Sequence, residues 1–168
     1  MNAPYFVNLC DFSYDNIKTT FDWICNKELR DLFSMYGEPN WDNHINYFKK
    51  KLKDKTQKVF AIYANNHYVG NCGFKDIDSN KAELWIYIGD NDFKGKGIAT
   101  KAVNMMIEYT KKINLKSLYL YVLNYNKPAI RLYKNLGFKN IEMNLKDKQI
   151  WLGRDENLLK MELIIDNS

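Results

Sequence analysis

The 168-residue sequence has few cysteines, few arginines and no long apolar run. Its three cysteines, Cys10, Cys25 and Cys72, are odd in number and widely spaced, which argues against a disulfide framework and is typical of reduced thiols in a cytoplasm. Lys or Asn interrupts every apolar run well before the ~20 residues that span a bilayer. The first residues also lack the basic patch and apolar stretch of a signal peptide. The sequence therefore predicts a cytoplasmic protein with no membrane partner.

The scarcity of arginine decides how the positive charge is interpreted. The formal net charge is +5 at pH 7, and 22 of the 25 basic residues are lysine. A surface selected to contact phosphate would use more arginine, because the planar guanidinium makes two parallel hydrogen bonds. Enrichment in Lys, Asn and Ile is instead typical of an AT-rich genome. We therefore expect no nucleic-acid partner.

Hydrophobic residues make up 46% of the chain and aromatic residues 15%, which is enough for a packed core and excludes a largely disordered chain. The length favours one domain over residues 1–168, and no repeat or low-complexity linker divides it. Two histidines and three scattered cysteines have no metal-ligand spacing, so we expect no metal site.

Hydrophobic periodicity predicts an α+β protein whose sheet has helices against both faces. The predicted order is a strand, two or three helices, a three-stranded meander, a helix, a strand, a helix and two final strands. The predicted strands cover residues 5–9, 59–64, 68–74, 82–88, 117–123, 138–143 and 158–165. The first predicted helix begins after Ser13 or Asp15. The other predicted helices cover residues 27–35, 41–52, 98–113 and a short stretch from Pro128 to Gly137.

The most informative segment is residues 92–100, DFKGKGIAT, which join a hydrophobic strand to an amphipathic helix. The backbone N–H groups of a helix start have no intrahelical partners, and the helix dipole adds positive charge there. Gly95 and Gly97 lack a Cβ and therefore allow an anion to approach the backbone, while Lys94 and Lys96 add charge. This junction suits a phosphate-binding site, and a purely structural turn, which is the more frequent role of Gly-x-Gly alone at a helix start, is the alternative. The segment matches neither a Walker loop nor a dinucleotide fingerprint.

The run Lys94-Gly95-Lys96-Gly97-Ile98-Ala99 resembles the pyrophosphate-binding motif of the GNAT family of N-acetyltransferases, Arg/Gln-x-x-Gly-x-Gly/Ala. Lys94 stands where that family prefers Arg or Gln, and it still supplies a charge and a donor. The resemblance implies that backbone amides from Gly95 to Thr100 hold the pyrophosphate of acetyl-coenzyme A.

Residues 126–138, NKPAIRLYKNLGF, resemble a second GNAT pattern, NxxAxxxYxxxGF. Two motifs in the right order are much more specific than either motif alone, and the predicted element order agrees over nearly the whole chain. The resemblance implies a mixed, mostly antiparallel sheet of about seven strands that splays between its fourth and fifth strands. It also implies acetyl-coenzyme A as co-substrate, without a metal, and direct transfer to an amine.

The resemblance assigns three residues to the handling of the thioester. A backbone N–H near Ile88 would polarise the acetyl carbonyl. Tyr133, a phenol with an ordinary pKa of about 10, would protonate the leaving thiolate. Asn126 would contact the pantetheine arm, or it orders the turn before the helix.

Glu83 is the first choice for the base that accepts the amine proton, directly or through water. If it faces the cleft beside Trp85 and Tyr87, partial burial would raise its pKa toward a useful range. A solvent-facing Glu83 is the alternative. The reserve bases are Asp90, His44 and His67.

Residues 21–29, FDWICNKEL, resemble the Trp-containing start of acetyltransferases that act on ribosomal-protein N-termini, spermidine and nucleotide-linked amino sugars. With His44 on the following helix, the layout is most similar to bacterial amino-sugar enzymes of surface-glycan synthesis, although Ile24 stands where those often carry Arg. We therefore expect a UDP- or dTDP-linked amino sugar as acceptor. The expected contacts are Trp23, His44 and Trp85, with Tyr36 and Trp41 as further stacking surfaces.

Charge separates the acceptor classes to some extent. A polyamine would favour an acidic cleft, whereas an anionic nucleotide sugar would tolerate or use the lysine run between Lys49 and Lys58. An enzyme for protein N-termini, one for polyamines and a non-catalytic acyl-coenzyme A-binding module stay open as alternatives. A homodimer is compatible with the resemblance, but no heptad or self-complementary strand indicates one.

Overall fold

The protein is described by a computed structural model that covers residues 4–33, 35, 37–151 and 157–168. Those residues form seven strands and six α-helices. The strands are β1 (Val7–Asp11), β2 (Lys58–Ala64), β3 (His67–Lys75), β4 (Lys81–Ile88), β5 (Ser117–Leu123), β6 (Lys139–Ile141) and β7 (Leu158–Ile164). The helices are α1 (Ile17–Ile24), α2 (Lys27–Leu32), α3 (Trp41–Lys51), α4 (Ile98–Lys112), α5 (Lys127–Asn135) and α6 (Leu145–Trp151).

The predicted element order is confirmed, but several bounds differ. The helix predicted over residues 27–35 is shorter, because α2 ends at Leu32 and Phe33 leaves the helical conformation. The first strand lies two residues later than predicted, and the strand predicted over residues 138–143 is reduced to β6. Helix α6 was not predicted. Its start is stabilised by a reciprocal cap, because the Asp147 N–H donates to Asn144 Oδ1 at 2.8 Å and the Asn144 N–H donates to Asp147 Oδ2 at 3.0 Å.

The seven strands form one sheet in the order β1-β2-β3-β4-β5-β7-β6. Every neighbouring pair is antiparallel except β4 and β5, which are parallel. The β2–β3 hairpin turns at Asn65 and Asn66, whose positive φ angles of 48° and 65° suit a tight two-residue turn. The mixed seven-stranded sheet of the sequence prediction is therefore confirmed.

The parallel pair β4–β5 is incomplete. Its register starts at Lys81 opposite Ser117 and stops at Glu83 opposite Tyr119. Residues 84–88 of β4 keep antiparallel pairing with β3 on their other side. The two strands therefore splay apart after Glu83, which leaves one edge of β4 open.

Alternation along β4 sends its side chains to two different cores. Ala82, Leu84 and Ile86 join the larger core, in which α4 and α5 pack against one face of the sheet. Trp85 packs on the opposite face, against the cluster formed by α1, α3 and β2. That second face, which Tyr87 shares by alternation, is covered by the helices that follow β1. None of the helices among the described residues combines the length and the apolar composition of a membrane-spanning helix.

Candidate active site

The opening beside β4 leads into a groove of about 640 Å³, here called the cofactor groove. Its walls are the end of β4, the loop before α4 and the first turns of α5. The predicted cofactor residues that line it are Ile88, Lys94, Gly95, Lys96, Gly97, Ile98, Ala99, Thr100 and Asn126. The fold thus brings together all the residues that the two motifs assign to the cofactor.

The loop before α4 presents an open surface of backbone amides. Gly95 and Gly97 have φ angles of +70° and +78°, a left-handed conformation that glycine adopts without strain, and nothing lies within 4 Å of where a Cβ would stand. The first intrahelical bond runs from the Lys101 N–H to the Gly97 carbonyl. The N–H groups of Ile98 to Thr100 therefore have no partner in the helix, and this cradle fits a pyrophosphate.

The open edge of β4 carries two further free amides. The Gly89 N–H donates to the Val69 carbonyl at 2.9 Å, so this residue faces β3. Because facing directions alternate along an antiparallel ladder, Tyr87 also faces β3, whereas Ile86 and Ile88 direct their N–H groups into the splay. The N–H that the sequence places near Ile88 thus lies on the groove side.

Tyr133 of α5 lines the same groove and is buried. Burial raises the pKa of its phenol, which therefore stays protonated at neutral pH. The hydroxyl has no hydrogen-bond partner within the described ranges. Asn126 caps α5 by accepting from the Ala129 N–H at 3.4 Å, so the turn-ordering role is observed. Its contact with the pantetheine arm stays a prediction.

A second cavity of about 490 Å³, here called the acceptor cavity, lies on the α1 and α3 face of the sheet. Phe33 and Tyr87 line both this cavity and the cofactor groove. The two spaces therefore meet at the end of β4. Of the predicted acceptor residues, His44 and Trp85 line this cavity.

A buried hydrogen-bond network holds the Tyr87 ring at this junction. Asn71 is fully buried, and its amide donates to the Tyr87 hydroxyl at 2.8 Å and to the Thr20 hydroxyl at 3.0 Å. The Tyr68 hydroxyl donates to the Asn71 carbonyl oxygen at 2.7 Å. Because the Asn71 amide is satisfied by these side chains, the shared wall between the two spaces is fixed by three elements. The sequence prediction missed Asn71. Strand alternation puts Asn71 on the same face of β3 as Gly73 and Lys75, and this shared face is the signal that could have identified it.

His44 lies on the inner side of α3, 7% exposed, with its Nε2 3.0 Å from the Ile17 carbonyl. A carbonyl only accepts, so Nε2 carries the hydrogen and the Nδ1 lone pair is free to accept a proton in the neutral ring. Desolvation by burial lowers the pKa of His44, and this outweighs the bond to Ile17. The imidazole is therefore neutral at physiological pH.

The far end of the acceptor cavity is cationic. Lys51, at the end of α3, and Lys75, at the end of β3, both line it. The Glu83 carboxylate forms an ion pair with Lys75, with Oε1 3.2 Å from the Lys75 Nζ. Burial raises the pKa of Glu83, while Lys75 opposes this shift. The pairing favours a role for Glu83 in holding Lys75, and its role as base stays a prediction.

Several predicted residues lie away from the acceptor cavity. Trp23 packs against Tyr68, with ring centroids 4.7 Å apart, and covers Gly89, where a Cβ would stand 2.1 Å from the indole. Its predicted contact with the acceptor is untested, whereas its packing behind the junction is observed. Trp41 stacks with His44 and is 40% exposed. Tyr36 lies outside the described residues.

The reserve bases Asp90 and His67 pair with each other instead, with His67 Nε2 3.2 Å from Asp90 Oδ2. Neither residue lines the acceptor cavity. Of the lysine run, Lys51 faces that cavity, whereas Lys49, Lys50, Lys53 and Lys55 are exposed and Lys58 pairs with Asp11. The described ranges hold no group of three or more His, Cys, Asp or Glu side chains arranged to bind a metal ion.

Comparison with known proteins fits this geometry. Residues 22–138 match the acetyltransferase (GNAT) family. The chain belongs to this family. An uncharacterized N-acetyltransferase of Methanocaldococcus jannaschii is 36% identical over 147 residues, which cover 77% of this chain and 65% of that protein.

The spermidine N(1)-acetyltransferase of Escherichia coli K12 is 29% identical to this GNAT chain over 117 residues, which cover 68% of this chain and 62% of that enzyme. A further Methanocaldococcus jannaschii protein matches with only 29% of its own length. The chain thus spans less than two thirds of these relatives.

Solved GNAT structures share the whole fold. Spermidine N-acetyltransferase from Vibrio cholerae, in complex with CoA and spermine, superposes with a TM-score of 0.81 at 20% identity over 95% of each chain. Campylobacter jejuni N-acetyltransferase PseH, in complex with acetyl coenzyme A, superposes with a TM-score of 0.71 at 19% identity, covering 96% of this chain and all of that one. At such identities the likeness concerns the fold.

Proposed function

We propose that this chain transfers the acetyl group of acetyl-coenzyme A directly to a primary amine. The observation that carries this proposal is the meeting of two spaces at Phe33 and Tyr87. One space has a cradle of free amides suited to a pyrophosphate, and the other is a separate cavity on the opposite face of the sheet. An amine in the acceptor cavity therefore reaches a thioester that lies along the open edge of β4.

The reaction forms a C–N bond and breaks the C–S bond of the thioester. The amine nitrogen attacks the carbonyl carbon, and the amides of Ile86 and Ile88 offer donors to the oxygen that gains charge. The amine loses a proton to a base, and the leaving thiolate gains one from an acid. Atoms and charge balance without a covalent enzyme intermediate.

Tyr133 is the proposed acid. Its phenol is protonated at neutral pH, it lines the cofactor groove, and no described residue competes for its proton. Burial disfavours both a phenolate and a thiolate. Proton transfer from Tyr133 to the leaving thiolate therefore does not require a low phenol pKa.

His44 is the proposed base. It lines the acceptor cavity, and its Nδ1 is unprotonated. The Ile17 carbonyl that binds its Nε2 lies on α1, one helical turn before Thr20, which belongs to the hydrogen-bond network behind Tyr87. Glu83 lies four strand residues from Tyr87, roughly 13 Å along β4, and is paired with Lys75. These positions favour His44 over the Glu83 of the sequence prediction.

The proposed acceptor is an amino sugar linked to UDP or dTDP. Two lysines line the far end of the acceptor cavity, and Trp85, Tyr47 and Phe48 offer ring surfaces for a sugar or base. A polycation would meet Lys51 and Lys75 there, with Glu38 as the opposing carboxylate in the lining. This charge favours an anionic acceptor.

A polyamine is the second candidate acceptor, because the Escherichia coli spermidine N(1)-acetyltransferase is 29% identical to this chain. Protein N-termini form a third class. A non-catalytic acyl-coenzyme A-binding module would need neither a separate acceptor cavity nor a free phenol at Tyr133.

Turnover on an amine panel tests the proposal. Purified protein is incubated with acetyl-coenzyme A and UDP-amino sugars, dTDP-amino sugars, peptides or polyamines, and free thiol is followed. A blank without acetyl-coenzyme A is needed, because Cys10 and Cys25 are exposed. We expect thiol release with nucleotide-linked amino sugars. Release with polyamines alone would replace the acceptor class, and release with none would favour the binding module.

Tyr133→Phe removes the proposed acid while keeping the ring. We expect kcat to fall by ~10²-fold with unchanged CoA binding, because general acid catalysis contributes about that factor. Steady-state kinetics and calorimetric CoA titration measure the two quantities. A variant within a few-fold of the wild-type kcat would remove Tyr133 from the mechanism.

His44→Gln keeps a donor for the Ile17 carbonyl and removes the basic Nδ1. We expect kcat to fall by ~10²-fold. Because burial lowers the pKa of His44, wild-type kcat should fall only as the pH drops below the ordinary value of 6.5, and the variant should lack this acidic limb. Glu83→Gln is the matched comparison. A large loss in Glu83→Gln with near-normal kcat in His44→Gln would make Glu83 the base.

A further inference from the structure

The far end of the acceptor cavity contains a buried ammonium group without a carboxylate partner. Lys51 is only 7% exposed. Among the described residues, no Asp or Glu carboxylate oxygen lies within 4 Å of its Nζ. Its Nζ donates to the Tyr47 hydroxyl at 2.8 Å and lies 4.4 Å from the Trp85 ring centroid. A buried charge is costly unless an opposite charge compensates it. A ligand that enters this cavity is therefore expected to bring negative charge.

Lys75 places a second ammonium group in the same wall. It reaches the cavity from β3, whereas Lys51 reaches it from α3. Glu83 holds Lys75 at 3.2 Å and is itself only 11% exposed at its side chain. The pair leaves Lys75 38% exposed at its side chain, so its remaining donors are accessible from the cavity.

Hydrogen-bond donors exceed acceptors at this end of the cavity. Lys51 has three N–H groups, and its one hydrogen bond in the structure engages Tyr47. A ligand rich in acceptor oxygens matches this excess, and a phosphate group has both the oxygens and the charge.

The position of the two lysines fits a ligand of defined length. The Trp85 ring lies between Lys51 and Tyr87, because its centroid is 4.4 Å from Lys51 Nζ and 6.1 Å from the Tyr87 ring centroid. A molecule with an amine at Tyr87 and a phosphate at Lys51 therefore spans the cavity. A hexose carrying a diphosphate has this kind of separation between its amino group and its charge.

We propose that Lys51 and Lys75 form a phosphate subsite for the acceptor, with Glu83 positioning Lys75. The assignment rests on the proposed function in one respect, that the cavity holds the acceptor. The subsite selects phosphorylated amines over free ones. Its effect is on acceptor affinity, because it lies far from the reacting carbonyl.

The charge on Lys51 makes the subsite sensitive to pH. Burial and the charge of Lys75 lower the pKa of Lys51 to about 8, while the negative charge of Glu83 opposes this shift. Below that pH the ammonium is charged and attracts phosphate, and above it the charge is lost. Affinity for a phosphate should therefore fall between pH 7 and pH 9. The other titratable groups that face Lys51 or line its cavity are Tyr47, His44, Lys75, Glu83 and Glu38.

Calorimetric binding of UDP to the CoA-saturated protein tests the proposal, because saturating CoA fills the cofactor groove and keeps UDP out of it. UDP is compared with uridine, which has the same base and ribose without phosphate, and with pyrophosphate, which has the phosphates alone. We expect wild-type protein to bind UDP at least ~10-fold more tightly than uridine, and Lys51→Gln to lose that difference. Pyrophosphate should also bind wild-type protein more tightly than Lys51→Gln.

Lys50→Gln is the matched control, because Lys50 neighbours Lys51 on α3 and is exposed. It should bind UDP within about twofold of wild type. Lys75→Gln is an independent second variant on another element, β3, and should also weaken UDP binding. Lys51→Arg keeps the charge and should retain UDP binding at pH 9. Thermal unfolding checks that each variant is folded.

Equal UDP affinity in wild type, Lys51→Gln and Lys75→Gln would overturn the subsite, as would UDP binding no tighter than uridine. The amine panel separates this failure from failure of the proposed function. If nucleotide sugars are acetylated with the same KM in Lys51→Gln, the function stands and the subsite is wrong. If no amine of the panel is acetylated but UDP still binds through Lys51, the phosphate subsite stands and the proposed function fails.

Discussion

The feature on which the rest of the structure depends is the premature end of the β4–β5 ladder. Pairing stops at Glu83 opposite Tyr119, and β4 continues with its other edge bound to β3. The Ile86 and Ile88 amides are thereby left facing an opening, where polar backbone groups need a partner. The groove, the amide cradle at α4 and Tyr133 all converge on this edge. Under the proposed function, acetyl-coenzyme A lies along this gap and supplies partners for the open edge of β4.

The fold and the cofactor groove were predictable because their signals are local. Gly95 and Gly97 before an amphipathic helix specify left-handed backbone and free amides, and the run from Asn126 to Phe138 specifies a capped short helix with Tyr133 on its inner face. Alternation along β4 placed Trp85 and Glu83 on one face. Each of these predictions needs only residues that are close in sequence.

The acceptor cavity was harder to predict because its walls come from segments far apart in the chain. Lys51 is one lysine of a solvated run, and only the docking of α3 on the sheet separates it from exposed Lys50. Glu83 lies on the predicted face, but the sequence does not show that Lys75 would hold it. Trp23 was expected at the acceptor and instead packs over Gly89 behind the junction. Long-range packing decides such roles, and periodicity does not report it.

Amide hydrogen exchange measured residue by residue by NMR, with and without CoA, tests the central claim most directly. In the free protein the Tyr87 and Gly89 amides, which face β3, should already be protected, and the Ile86 and Ile88 amides should exchange faster. Saturating CoA should slow Ile86 and Ile88 by at least ~10-fold and leave Tyr87 and Gly89 nearly unchanged, because the ligand bonds to the open edge of β4. Unchanged exchange at Ile86 and Ile88 in the CoA complex would contradict the account.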